Sequence, residues 1–183
     1  VAALVSDQAA AVLELERQAD DATGDGRSQD VALARLSLAD PDNRRLVTLL
    51  AADPDTRSRA RSLVRNDEYA DQADKLSRDL MYVVDASPNS VTLTERGQAS
   101  LESRLGPIFD TTTIAQQLVS LESDSDLPLE ERRRLRDRTE RRIHRQYRQM
   151  NQANQMLRAY VLLKRDVDYA VMDGDVVLID ELT

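Results

Sequence analysis

The feature that most constrains this chain is a stripe of apolar and semi-polar residues on one long predicted helix. Pro128 opens it, because its missing N–H falls where a helix start needs none. The pattern then runs to about Arg165, roughly 38 residues or about 57 Å at 1.5 Å per residue. Leu135, Thr139, Ile143, Tyr147, Met150, Asn154, Leu157 and Val161 recur at alternating spacings of three and four, as in a coiled-coil seam. Such a seam is expected to pack along other helices of the same domain. A self-dimerising seam is the competing arrangement, weakened by Thr139 and Asn154.

With 183 residues, the chain is one ordinary or one elongated domain and can bury a core without a staple. The absence of cysteine excludes a disulfide framework, a thiolate metal site and a Cys nucleophile. His144 is the lone histidine and Phe109 the lone phenylalanine, and there is no Trp. A His-rich metal site and an aromatic platform for stacking bases are therefore excluded. The formal charge of −8 argues against a general nucleic-acid binder. The apolar run near the end, Val176 to Ile179, has four residues and no run in the chain exceeds five, too short for a transmembrane helix or a signal peptide. The chain starts at Val1 without Met and stops at Thr183 just after that run, which reads as an excised piece of a longer protein.

Most of the remaining pattern is helical. Leu4, Val5, Ala9, Val12, Leu13 and Leu15 recur with a period near 3.6 over residues 2–18. Ala39-Asp40-Pro41-Asp42 is echoed by Ala52-Asp53-Pro54-Asp55, predicting an Asp N-cap followed by Pro at the first helical position in both. Helices are expected at about 29–38, 41–51, 54–65 and 67–79. Leu80 to Asp85 and Val91 to Thr94 then read as a hairpin around Ala86 to Ser90. Thr94 can cap a helix to about Leu105, which Gly106-Pro107 stops, and a further helix is predicted at about 112–122. Asp173-Gly174 between two apolar runs predicts a type I′ hairpin in which Met172 opposes Asp175, Val171 opposes Val176 and Tyr169 opposes Leu178. Tyr169, Val171, Val176 and Leu178 share one face; Ala170, Met172, Val177 and Ile179 share the other. Both faces are largely apolar, so this hairpin needs a cover, and its edge is open to another strand. The fold class is thus α+β and mostly helical, with one long C-terminal helix and small antiparallel hairpins.

Two motifs point to chemistry and neither carries it. Val176 to Glu181 has the form of a Walker B strand, but no Gly-rich phosphate cradle exists and neither Lys75 nor Lys164 follows a Gly. It reads as a plain strand ending in acids. Arg132 to Arg148 holds nine arginines, a pattern able to bind phosphates or acidic lipid. Glu130, Glu131, Asp137 and Glu140 lie among or beside them, with Glu130–Arg134 and Asp137–Arg141 available as i,i+4 pairs, so a solvated helix face is the reading favoured. His144 reads as a surface residue, and no nucleophile with a general base is evident.

Two ordered blocks nevertheless resemble a known family. Met156 to Thr183, containing Lys164-Arg165-Asp166-Val167-Asp168-Tyr169 and Asp173-Gly174-Asp175-Val176-Val177-Leu178-Ile179-Asp180-Glu181, resembles a segment of SecA, the bacterial preprotein-translocase motor. Tyr82 to Asp85, followed by Val91-Thr92-Leu93-Thr94-Glu95-Arg96-Gly97, resembles that family's strand–turn–strand segment, in the same order. Both blocks belong to the preprotein cross-linking domain, in an enlarged version. The resemblance implies one such domain over 1–183: a helical extension at 1–79, strand–turn–strand and helix at 80–106, helices at 107–165 and a hairpin stem at 166–183.

What the resemblance implies about function goes well past the composition. In SecA this domain binds unfolded preprotein or signal peptide, forms part of a clamp at the SecYEG channel, and contacts SecY and the motor's other domains. Preprotein contacts would then fall on Tyr82, Val83, Val84, Tyr169, Val171, Val176, Leu178 and Ile179, with the peptide adding as a strand. The parent motor would hydrolyse ATP with Mg²⁺; this piece, lacking Walker A, would bind no cofactor, catalyse nothing and take no nucleic acid. The implied location is cytoplasmic, peripheral at the inner face of the membrane. The competing reading is a structural helical module that packs on a partner protein through the 135–161 stripe.

Overall fold

The computed structural model describes residues 1–22, 24–65, 75–87, 89–109, 116, 120 and 128–179. Four helices come first: α1 (Ala2–Asp21), α2 (Gly26–Ala39), α3 (Arg44–Ala52) and α4 (Pro54–Arg65). The hairpin β1 (Tyr82–Asp85) and β2 (Ser90–Leu93) follows, then α5 (Glu95–Leu105) and the long α6 (Leu129–Leu162). A second hairpin, β3 (Tyr169–Met172) and β4 (Asp175–Leu178), completes the order. The mostly helical α+β class read from the sequence is the class observed. Most of the expected helices at 67–79 and 112–122 lies outside the described residues; within them, 75–77, 116 and 120 are helical.

The chain divides into two compact units, Val1–Ala99 with Leu157–Thr183, and Ser100–Met156. In the first, α2 is the central helix. Leu33 and Leu36 are fully buried with Leu15, Ala19, Leu46, Ala60 and Leu80 around them, and Val83 packs against this cluster. Truncating a Leu in such a position costs about 2–5 kcal/mol, the transfer loss plus the cavity left behind. On α1 the inward residues are Leu4, Gln8, Leu15 and Ala19, a helical spacing that includes a glutamine and excludes Leu13, which is 66% exposed.

Only one of the two predicted Asp-Pro caps forms. At the second, Asp53 accepts from Asp55 N–H at 3.0 Å and from the Thr56 hydroxyl at 2.6 Å, and α4 starts at Pro54. Those two bonds hold its carboxyl below the usual value, the Thr56 hydroxyl contributing most. At the first, Asp40 ends α2, and α3 starts three residues later than Pro41. Asn43 is the cap instead, accepting from Arg45 N–H at 3.0 Å and Leu46 N–H at 3.1 Å. Its amide also donates to Glu16 on α1 at 2.8 Å, a tertiary bond that Asp40 has no donor to make.

Hairpin β1–β2 pairs Tyr82 with Leu93 and Asp85 with Ser90. Thr94 then works in two directions: its hydroxyl donates to Leu80 C=O at 2.6 Å and accepts from Gly97 N–H at 3.1 Å, capping α5. Gly97 lies so close to the entry of β1 that a Cβ there would sit 1.9 Å from the Met81 carbonyl oxygen. Only glycine permits that approach.

In the second unit, Glu102 accepts from Phe109 N–H at 2.8 Å, and Gln146 on α6 donates to Pro107 C=O. The long helix departs from its predicted form in two respects. It ends at Leu162, not Arg165, because the Asp168 carboxylate takes the Lys164 N–H at 2.7 Å and turns the chain. Its inward line also drifts. Gln146, Ala153 and Leu157 are buried, whereas Tyr147 is 49% exposed and Asn154 is exposed. A straight helix at 3.6 residues per turn slips about 20° per heptad against a 3.5-residue stripe, and here Gln146 takes the inward place predicted for Tyr147 and Ala153 that of Asn154, while Leu157 stays inward.

Candidate functional site

Lys164 to Asp168 form the joint on which hairpin β3–β4 is mounted. Asp166 adopts a positive φ of 64°, and its N–H donates to Tyr169 C=O at 2.7 Å. Lys164 C=O accepts from both Val167 N–H and Asp168 N–H, while Asp168 C=O accepts from Ile179 N–H at 2.9 Å. The Lys164 ammonium pairs with Asp42 between α2 and α3, which raises its pKa. The far end is the type I′ turn, with φ of 54° at Asp173 and 93° at Gly174. Register follows from that turn: Met172 faces Asp175, Val171 faces Val176 and Tyr169 faces Leu178, as predicted.

Little covers this hairpin. Val176 is 67% and Leu178 72% exposed on one face, and Met172 61% on the other. Tyr169, Val176 and Leu178 join Ala159, Tyr160 and Leu163 of the end of α6 in an open, mainly apolar groove of about 300 Å³. Both sheets of the described residues are two-stranded, so each strand keeps one edge without a strand neighbour.

Hairpin β1–β2 lies in different surroundings. Tyr82 and Val84 are buried and line a second groove, of about 680 Å³, with Val5 and Val12 of α1, Tyr160 of α6 and Val167 of the joint. Asp40, Asp42, Lys164 and Asp168 give it polar walls. The carboxamide of Gln8, itself buried, behaves here like a peptide group of an adjoining strand. It accepts from Met81 N–H at 2.8 Å and donates to Tyr82 C=O at 3.0 Å, with a longer donation to Ala39 C=O at 3.4 Å. Burial, with a smaller contribution from the Asp40 charge, pushes the Tyr82 phenol up to about 12.

The candidate residues thus separate into groups. Tyr82 and Val84 share the larger groove, and Tyr169, Val176 and Leu178 share the smaller. Val83 turns to the core cluster. Val171 and Ile179 line neither groove and are exposed at 41% and 43%. Tyr160 lines both and was not anticipated; the signal was an aromatic residue one place off the apolar stripe, and it is 57% exposed. Among the described residues no three His, Cys, Asp or Glu are grouped to hold a metal ion, and no helix is long and apolar enough to cross a membrane. Asp180 and Glu181 lie outside the described residues.

Residues 62–183, which include both hairpins and α6, match the family model of the SecA preprotein cross-linking domain. Among curated proteins, the chain is 24% identical over 160 residues to the protein translocase subunit SecA of Chlorobium phaeobacteroides (strain BS1). It is 26% identical over 160 residues to that of Pelodictyon phaeoclathratiforme. Each alignment takes in 84% of this chain and 15% of the relative. The subunit of Phocaeicola vulgatus is 32% identical over 106 residues, 57% of this chain and 10% of the relative. The chain therefore spans about 15% of the length of the first two relatives. No solved structure matches it. With its two hairpins and long helix inside the matched segment, the chain belongs to the SecA preprotein cross-linking domain family.

Proposed function

We propose that this chain is the preprotein-binding part of a SecA-type protein-export motor and supplies one wall of a clamp around an unfolded polypeptide. One observation carries the reading: β3–β4 is apolar on both faces and exposed, its edges have no strand neighbour among the described residues, and it lies in the segment that matches the family. An extended peptide adding to such an edge gains main-chain hydrogen bonds that do not depend on its sequence, which suits a site that must accept many substrates. The groove with Tyr160 and Tyr169 adds side-chain contact to apolar positions of that peptide.

In this reading the partners are unfolded preprotein or signal peptide, the SecY channel and the rest of the motor, at the cytoplasmic face of the membrane. ATP and Mg²⁺ act in the parent motor, and the isolated chain turns over no ATP. Titrating an unfolded preprotein segment into the isotope-labelled chain tests the placement by NMR. Amide shifts centred on Tyr169 to Ile179, with smaller ones at Tyr82 to Val84, are expected. Shifts confined to Arg132 to Arg148 would reject it.

A further inference from the structure

The outer edge of β1 meets a side chain where a strand could lie. Successive carbonyls of a strand point to opposite sides, and Met81 C=O takes Thr94 N–H at 3.2 Å, on the side of β2. Tyr82 C=O, and Val84 C=O after it, therefore face the other edge. No strand pairs with β1 there among the described residues. The groove of about 680 Å³ runs along that edge, lined by Tyr82 and Val84 of β1 and by Val5, Gln8 and Val12 of α1. Gln8 itself is only 2% exposed.

On the peptide-binding reading above, we infer that Gln8 is an edge plug: it keeps extended polypeptide off β1 and leaves β3–β4 as the hairpin that receives it. Its carboxamide stands where the peptide group of a neighbouring strand would stand. Oε1 accepts from Met81 N–H at 2.8 Å, and Nε2 donates to Tyr82 C=O at 3.0 Å. A second, longer donation reaches Ala39 C=O at the end of α2, so the carboxamide is held from the helical side as well. A Glu carboxylate could accept but not donate, Leu could do neither, and Asn is one methylene short. A group that only satisfied buried backbone atoms would face a closed core. Gln8 instead closes backbone groups off from an open groove with apolar walls, the setting in which an extended chain adds to a free edge. Unplugged, β1 would compete with β3–β4 for the same polypeptide. It would do so on the hairpin whose Val83 packs against the core.

Gln8→Ala tests the assignment, with NMR titration of one unfolded preprotein segment into the isotope-labelled full chain. The change deletes the equivalent of one acetamide molecule and leaves a good helix former in α1. The wild type is expected to bind one equivalent, with strand pairing to β3–β4 alone. Gln8→Ala should bind a second, with new main-chain contacts from the peptide to Tyr82 and Val84. Acetamide added to the variant should fill the slot and abolish the second equivalent while sparing the first. Gained binding separates a plug from a purely structural side chain, whose removal could only loosen the fold. A further readout needs no variant: the side-chain amide resonances of Gln8 in the wild type should keep their positions as the segment saturates. Their movement to the values of a free glutamine overturns the plug, as does a folded Gln8→Ala chain that binds a single equivalent at β3–β4. A wild type that binds nothing at β3–β4 refutes the clamp reading instead, and contacts to Tyr82 and Val84 in Gln8→Ala still decide the plug.

Discussion

Hairpins β1–β2 and β3–β4 are each made of two four-residue strands in antiparallel register, yet their surroundings are opposite. The first is enclosed: Leu80 and Val83 join the helical core, Gln8 bonds to the start of β1, and Gly97 lets α5 close against Met81. The second projects from the joint at Lys164 to Asp168 with most of its apolar side chains in solvent. A two-stranded hairpin is marginal alone, so the first is held by its neighbours and the second by its turn and joint. Changes around β1–β2 should therefore alter stability, and changes on β3–β4 should alter binding.

The largest effect is expected at Gly97. In Gly97→Ala the new Cβ overlaps a backbone oxygen that no side-chain rotation can move, placing the loss at or above the top of the roughly 1–3 kcal/mol typical of overpacking. Urea unfolding measures it directly. A loss below about 1 kcal/mol would mean that α5 slides freely over β1, and the contrast between the hairpins would weaken.

Gln8→Leu should come next. It keeps the volume roughly constant while leaving Met81 N–H and Tyr82 C=O without the bonds they make now. An unsatisfied buried group costs about 1–3 kcal/mol, and amide exchange at Met81 should accelerate while that of Val171 and Val176 stays unchanged. Acceleration at both hairpins would show that they unfold as one.

Gln8 also marks where the sequence was not legible, in contrast to the local turns and caps. The Asp173-Gly174 turn was readable with its register, because a two-residue I′ turn leaves only one pairing and the decision is local. Asp53-Pro54 was readable for the same reason. Asp40-Pro41 looked identical, but Asn43 three residues on also bonds to Glu16, a partner 27 residues away in sequence. Gln8 interrupts the apolar pattern of α1 as any surface residue would; its role exists only once Met81, 73 residues away, is beside it. Tyr82 and Val84 were readable as a strand from their local pattern. Local signals were reliable where the competing states were local, and failed where a distant partner chose between them.

Tyr82 gives a smaller effect with a defined pH window. Burial raises its phenol to about 12 from an ordinary 10.0, so the folded state favours the neutral form. The stabilisation is complete below pH 10 and declines as pH rises from there through about 12. The urea midpoint should fall across that interval, and Tyr82→Phe should remove this part of the fall. An unchanged slope in the variant would indicate that the phenol titrates alike in the folded and unfolded states, without a penalty from burial.

The smallest effect on stability is expected where the proposed function is concentrated. Val176 and Leu178 are 67% and 72% exposed, so Val176→Ser with Leu178→Ser removes little buried area, and surface changes of this kind usually stay within about 0.5 kcal/mol per site. The same double variant strips the groove beside Tyr160 and Tyr169 of two of its apolar walls. Affinity for an unfolded preprotein segment should fall by about tenfold, corresponding to about 1.4 kcal/mol of lost apolar contact, while the urea midpoint stays in place. A large loss of stability would instead mean that the chain covers this face in solution. β3–β4 would then be a core hairpin like β1–β2, and the division between a hairpin that holds the fold and one that meets the substrate would fail.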